Sequence, residues 1–454
     1  MKTFIRKFLP ESLINAYHYV LACFAALVYR FPSEKLVVIG VTGTNGKSTT
    51  VEFIGRILES AGHRVGWTGT ASFKVADREW VNDQKMTMLG RFQTQKLLQQ
   101  MVKAGCQYAI VETSSQGISQ SRHIGINYDV AVFTNLTPEH IEAHGGFENY
   151  KKAKGKLFKH MGPDGISVVN LDDPHAEYFL SFPAKKKIGY GIVAERQKAR
   201  PDTSFVAQKI SLTPSGSSFL INPQTTNDQL PTTNSQPPIP PFHLSPIGRF
   251  NVYNALAAIS TCHALGLSWE QIQAGVAQLK SVPGRLEAIQ EGQPFSVIVD
   301  YAYEPAALSA VYETLDLIRA DGRLIHVLGS AGGGRDTARR QVLGQMAAEH
   351  ADVVIVTNED PYDDDPAEIV REVADGARSG APLSTPSPEL YEILDRQEAI
   401  EKAVGLAKTG DLVLITGKGC EPVMAVANGK KIAWDDREAV RRALTGLGYE
   451  TSDR

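Results

Sequence analysis

At 454 residues with 43% hydrophobic composition, the chain is long enough to bury large cores in two or three domains, which excludes a single small binding module. Its 47 basic and 50 acidic residues leave a net charge of −3, without the basic excess that a nucleic-acid partner demands. Cys23, Cys106, Cys262 and Cys420 stand far apart with no CxxC pair, which argues against a zinc ribbon or a disulfide framework and for a reducing, cytoplasmic setting.

The first predicted element, within residues 1–35, is a short apolar helical segment. Leu13 to Phe31 is largely apolar and aromatic, with Arg6 and Lys7 before it and Arg30 and Lys35 at its far end. It has no convincing small-residue cleavage site, and Asn15 and His18 interrupt a run already short for a spanning helix. Three readings stay open for residues 11–31: a helix packed on the protein or a partner, a helix on a membrane surface (here the inner face), and a true span.

From Leu36 onward, short β-branched runs at 36–41, 107–111 and 129–133 alternate with helix-length segments such as 49–61, the pattern of parallel βαβ units. The polar stretch 222–241 predicts a loop. Residues 251–265 and 268–279 predict two helices, and Val282-Pro283-Gly284-Arg285 predicts a hinge. A second series follows, with strands near 296–299, 324–328, 353–356 and 412–415 and a closing helix at 435–447. The fold class is therefore α/β: a P-loop central domain with a mostly parallel sheet over 36–284, then a Rossmann-like domain over 285–454.

The sharpest local signal is a strand-type run, Val37 to Thr42, leading into Gly43-Thr44-Asn45-Gly46-Lys47-Ser48-Thr49. Backbone N–H groups of such a Gly-rich turn, with a helix N-terminus, surround phosphate oxygens; Lys47 neutralises charge and the Ser48 hydroxyl suits Mg²⁺. Val41 stands where the usual spacing has glycine, and Gly43 takes the turn instead. ATP binding follows; the reaction does not.

This segment resembles the GTNGK[ST] form of the Mur ligase family, which includes folylpolyglutamate synthetases. Glu112-Thr113-Ser114-Ser115 with Arg122, Thr134-Asn135-Leu136-Thr137-Pro138-Glu139-His140, Glu148-Asn149-Tyr150 through Lys154, and Asn170-Leu171-Asp172-Asp173 continue the pattern in order. So do Phe250 to Ala255, Pro283 to Glu287, Asp300-Tyr301-Ala302, Gly417-Lys418-Gly419 and Asp435-Asp436-Arg437-Glu438, so that the resemblance covers about 36–447 and is nearest the tripeptide-synthetase branch. It implies an ATP-dependent amide ligase that activates a muramyl-peptide carboxylate as an acyl phosphate and adds an amino acid in peptidoglycan-precursor synthesis. It further implies one Mg²⁺ at Ser48 and a second at Glu112, His140 and Lys154, the lysine being carbamylated; read alone, Lys154 is one of several lysines on a solvated helix face. By the same resemblance Asn254 contacts adenine, Arg285 the γ-phosphate and Asp300 the ribose. Thr87, Ser115 and Arg122 face the acceptor, while Arg335, Asp360, Tyr362, Gly417 and Glu421 receive the amino acid.

Three departures qualify it. Only about 35 residues precede the ATP loop, where the family normally has a UDP-holding domain; this permits a lipid-linked acceptor. Tyr362 replaces the arginine of D-[ND]-P-R, which weakens diaminopimelate specificity and admits lysine or another amino acid. Cys420 and Tyr303 stand where histidines are usual. Competing readings are a family relative acting on a lipid-linked or folate-type carboxylate and a non-catalytic ATP-binding subunit.

Overall fold

The computed structural model describes residues 10–84, 86–138, 144–192, 201–213, 216–225, 239–279, 282–319, 321–334, 337–380 and 387–449. His140, Arg335, residues 1–9 and residues 226–238 of the predicted loop therefore lie outside the described residues.

The first element among the described residues is helix α1 (Glu11–Val28). Next come β1 (Val37–Thr42), α2 (Lys47–Ser60), β2 (Val65–Thr68), β3 (Ser72–Val75), β4 (Arg78–Val81), α3 (Arg91–Lys103), β5 (Tyr108–Glu112), the single-turn α4 (Ser115–Ser119) and β6 (Val130–Phe133). They are followed by α5 (Phe147–Met161), β7 (Ile166–Asn170), α6 (Ala176–Leu180), β8 (Lys186–Gly191), β9 (Thr203–Thr213), β10 (Gly216–Thr225), β11 (Phe242–Leu244), α7 (Arg249–Ala264) and α8 (Trp269–Gln278).

All eleven strands join one sheet in the order β11-β10-β9-β8-β7-β6-β1-β5-β2-β3-β4. Its seven central strands, β9 to β2, are parallel, and each flank ends in antiparallel strands. The runs of β1, β5 and β6 are nearly continuous apolar sequences because both of their faces are covered. On one side Phe53, Ile54 and Ile57 of α2 pack with Val252, Leu256 and Ile259 of α7 and Ile272 of α8. On the other, Leu97, Leu98 and Met101 of α3 pack with Leu157 and Phe158 of α5.

The expectation of a loop over 222–241 is corrected at its start. Asn222 to Thr225 continue β10, paired residue by residue with Val206 to Thr203 of β9. Backbone pairing, rather than side-chain burial, holds this polar stretch extended.

A tight turn bridging Val282 and Arg285 leads to a second sheet. It comprises β12 (Glu287–Ala288), β13 (Ser296–Asp300), β14 (Leu324–Leu328), β15 (Val353–Val356), β16 (Glu389–Glu392) and β17 (Leu412–Thr416), ordered β12-β13-β17-β14-β15-β16 and parallel except for β12. Helices α9 (Pro305–Ile318), α10 (Ala338–His350) and α11 (Pro366–Gly380) cover one face; α12 (Arg396–Leu406) and α13 (Asp436–Gly446) cover the other. A small hairpin, β18 (Val423–Val426) and β19 (Lys430–Ala433), stands apart. In the second core, Arg396 makes a paired contact with Asp436, Nε to Oδ1 at 2.8 Å and Nη2 to Oδ2 at 2.7 Å, with both side chains at or below 1% exposure.

Candidate active site

Three strand ends, those of β1, β5 and β6, meet at the point where the sheet order turns, the place where open α/β sheets bind ligands. The turn after β1 is built for backbone exposure. Gly46 has φ +80°, and a Cβ there would sit 2.2 Å from Asn254 Oδ1, so glycine is required on both counts. Asn45 N–H donates to Asn135 Oδ1 at 2.8 Å, Thr134 Oγ1 donates to Asn45 O at 2.6 Å, and Lys47 Nζ donates to Thr44 O at 2.6 Å. These bonds fix the loop ahead of α2, whose first turn presents Lys47, Ser48 and Thr49.

Beside it, Glu112 at the end of β5 accepts from Ser48 Oγ at 2.9 Å, from the Thr70 N–H at 2.6 Å and from Thr70 Oγ1 at 2.9 Å. Lys154 comes from α5 on the other side: it is 2% exposed, donates to Gly43 O at 2.6 Å, and lies 4.4 Å from the Tyr150 ring centroid. The solvated face suggested by its lysine-rich neighbourhood is thus replaced by burial. Its neighbour Lys151 pairs with Glu148 at the surface instead.

Gly43, Lys47, Thr70, Thr87, Ser115, Arg122 and Lys154 form one wall of a polar cleft. Its opposite wall is the second domain: Tyr301, Tyr303, Glu359, Asp360, Tyr362, Gly417 and Glu421. On the first wall Thr87 Oγ1 lies 2.9 Å from Thr70 Oγ1, Ser115 Oγ lies 3.1 Å from His144 Nε2, and Arg122 donates to the Met88 carbonyl and to Gln120 Oε1. On the second, buried Lys418 holds Asp360, at 3.1 Å to both oxygens, and also Glu421; the Tyr301 hydroxyl donates to Glu421 Oε1 at 2.8 Å. Burial first, then the Asp360 charge, pushes the Glu359 carboxyl above its usual range. Tyr362 sits at φ +54°, the left-handed region that side chains avoid.

A second groove adjoins the loop, lined by Asn45, Ser48, Thr49, Asn135, Tyr253, Asn254, Arg285 and Asp300. Arg285 lies over Tyr301, 4.5 Å from its centroid. Asp300 accepts backbone N–H bonds from Leu286 at 2.7 Å and Ala302 at 2.6 Å, so it also ties the hinge to β13.

Residues 41–262 match the Mur ligase middle domain, and residues 284–419 match the Mur ligase, glutamate ligase domain. The UDP-N-acetylmuramoyl-L-alanyl-D-glutamate–2,6-diaminopimelate ligase of Geobacillus kaustophilus is 36% identical over 447 residues, spanning 97% of this chain and 85% of that one. The UDP-N-acetylmuramyl-tripeptide synthetase of Roseiflexus sp. is 36% identical over 445 residues, 94% of this chain and 82% of that one. A solved UDP-N-acetylmuramoyl-L-alanyl-D-glutamate–2,6-diaminopimelate ligase superposes with a TM-score of 0.58 at 29% identity, over 91% of this chain and 79% of that one. The chain belongs to the Mur ligase family.

As a Mur ligase it is an ATP-dependent amide ligase, and its two matched domains are the two walls of the cleft. The structure brings Lys47, Ser48, Glu112 and Lys154 together around the loop, and Asn254, Arg285 and Asp300 around the adjoining groove. Sequence reasoning passed over Thr70, which supplies two donors to Glu112, and Tyr150, whose hydroxyl lies 3.0 Å from Thr44 Oγ1. It also passed over Lys418 as a site residue, although the motif containing it was recognised. The lysine between Gly417 and Gly419, three residues before an acid, was the available signal.

One turn beyond Ser48, Glu52 is buried, and burial followed by the Glu79 charge raises its pKa to about 7. A carboxyl raised in the folded state favours folding below its unfolded value near 4.5, and that contribution is lost as pH rises through about 7. Glu52→Gln is therefore expected to stabilise this Mur ligase by about 3 kcal/mol near pH 8, with the gain vanishing toward pH 4. Denaturant midpoints of the two proteins across that range check it; a gain independent of pH would contradict the assignment.

Proposed function

We propose that this Mur ligase phosphorylates the terminal carboxylate of a muramyl-peptide acceptor with ATP and couples an amino acid to it, in the cytoplasm. The observation that carries this reading is the single cleft in which the phosphate loop and Lys154 face the Asp360, Lys418 and Glu421 cluster. An acyl phosphate forms when an acceptor carboxylate oxygen attacks the γ-phosphorus and ADP departs. The amine nitrogen then attacks the acyl carbon and phosphate leaves. Both steps need two reactants aligned and negative charge neutralised more than they need a protein nucleophile.

The loop N–H groups and Lys47 meet the phosphates, Arg285 meets the γ-phosphate across the hinge, Asn254 the adenine and Asp300 the ribose. Arg122, Ser115 and Thr87 hold the acceptor's anionic end. Glu421, oriented by Tyr301 and Lys418, receives the amino acid's ammonium. The Ser48 hydroxyl and Glu112 carboxylate, 2.9 Å apart, are the hard oxygen donors that Mg²⁺ takes. Ser48 would hold one ion beside the phosphates and Glu112, with His140 and Lys154 as its carbamate, a second; when bound, the ions neutralise phosphate and carboxylate charge.

The amino-acid wall displays Glu359, Asp360 and Glu421 against Lys418, with Tyr362 in the place of an arginine. This balance favours an amino acid whose far end is cationic over one ending in a second carboxylate. Phosphate release from ATP with UDP-muramyl-dipeptide, screened over the common amino acids and diaminopimelate with product mass, tests both claims. Lysine is expected to outperform diaminopimelate, and Tyr362→Arg is expected to shift the kcat/KM ratio toward diaminopimelate by about tenfold or more, the worth of one charged hydrogen bond. Turnover with no amino acid would overturn the ligation reading; an unmoved ratio would overturn only the role of Tyr362.

A further inference from the structure

We propose that the outer face of α1 is a docking surface for an anionic lipid bilayer. Leu13, Tyr17, Val20, Phe24 and Leu27 recur at steps of four, three, four and three residues, which aligns them on one stripe of the helix. Each is between 54% and 65% exposed. The opposite face is made of small residues, Ala22, Ala25 and Ala26, buried against the central domain; Ala26 abuts Gly125, where a Cβ would come within 2.6 Å. Packing on the protein therefore uses one face of α1 and leaves a larger apolar face to the outside.

Eight of the fifteen exposed large apolar side chains among the described residues lie between Leu13 and Phe31, so the exposure is concentrated rather than scattered. No Asp, Glu, Lys or Arg occurs from Ser12 to Tyr29. Charge returns only at the ends, where Lys2, Arg6, Lys7, Arg30 and Lys35 outnumber Glu11 and Glu34, a net +3 in a chain whose total is −3. An uncharged stripe with aromatic rings, flanked by basic residues, complements an anionic headgroup layer above an acyl boundary.

A second copy of the chain fits less well. Helix seams favour aliphatic side chains at the stripe and charged residues beside it, whereas this stripe carries Tyr17 and Phe24 and has no charge beside it. No helix among the described residues is long and apolar enough to cross a bilayer.

The placement has a consequence for the cleft. Phe24 meets Phe92 edge-on at 6.2 Å in the first turn of α3. That turn follows directly on Met86 to Met88, which line the acceptor end of the cleft with Gln120 and Arg122. A bilayer on α1 would thus lie beside the acceptor's entrance. The inference is independent of which acceptor enters.

The test is co-sedimentation of the full chain with phosphatidylcholine vesicles, with and without phosphatidylglycerol. The expected result is binding to the phosphatidylglycerol vesicles that weakens with salt and falls at least about tenfold in Val20→Glu/Phe24→Glu. A melting temperature close to that of the parent protein shows that this variant is folded. Arg6→Glu/Lys7→Glu, which changes no described residue, is expected to weaken binding by a similar factor. Three results would overturn the proposal: the full chain stays in the supernatant with both vesicles; binding is equal on phosphatidylcholine alone; or light scattering finds a dimer that Val20→Glu/Phe24→Glu converts to a monomer, which assigns the stripe to a second copy.

Discussion

Lys154→Met is expected to lower amino-acid-dependent phosphate release by roughly 10²- to 10³-fold, the usual cost of removing one preorganised charged group from a water-poor site. The substitution keeps the aliphatic stem that fills the space beside Tyr150 and removes only the group that reaches Gly43 O. A thermal unfolding curve close to that of the parent protein should accompany the loss, which separates chemistry from folding. A further arm tests the chemical form of the side chain. A carbamate forms when the neutral amine adds to CO₂, turning a cation into an oxygen ligand, and it decays when CO₂ is withdrawn. The parent enzyme should therefore lose activity in CO₂-free buffer and regain it with bicarbonate. Constant activity under both conditions would leave Lys154 as an ammonium group serving the phosphates and would remove the carbamate.

The second large effect concerns stability. Asp436→Ala leaves the Arg396 guanidinium buried with only carbonyl partners, Asn358 O at 3.2 Å and Thr416 O at 2.7 Å. Breaking a buried ion pair by removing one partner costs about 3–5 kcal/mol, because the remaining charge has lost its hydrogen-bonded counter-ion and cannot reach water, although Glu359 and Asp360 still act on it from farther off. In a domain of this size that corresponds to a drop in melting temperature of about 10 °C. Scanning calorimetry reads it directly, and a drop inside about 2 °C would contradict the assignment. The pair also explains why the second of the adjacent acids Asp435 and Asp436 is the more demanding position. Asp435 caps α13 at the half-buried edge, whereas Asp436 is fully buried.

Much of this was legible in the sequence because it is local. The run from Val37 to Ser48 fixes a buried strand, a turn that needs glycine at Gly46 and a helix start, and each is decided by neighbours in the chain. Four of the six strands of the second sheet, β13, β14, β15 and β17, were readable for the same reason, whereas β12 and β16, two edge strands, were not. What the residues alone did not disclose depends on distant packing. Lys154 looks like Lys151 and Lys152 in the sequence, and only the crossing of α5 under the phosphate loop, 111 residues away, separates the buried one from its neighbours. The partners of Glu112 were hidden likewise, since Thr70 belongs to a turn between β2 and β3 with no motif of its own. Polar residues at 222–225 misled because side-chain character says little about a strand held mainly by its neighbour's backbone.

One further contact ties the two walls of the cleft. The Asn45 side-chain amide, in the phosphate loop, donates to Glu304 Oε1 at 2.5 Å, and the same carboxylate caps the first turn of α9 through the Ala306 and Ala307 N–H groups. A hydrogen bond to a charged group is worth about 1.5–3 kcal/mol, so this one contact biases the closed arrangement over any form that lacks it by roughly ten- to a hundredfold. The nucleotide groove and the second domain are thus latched to each other through a side chain of the phosphate loop itself.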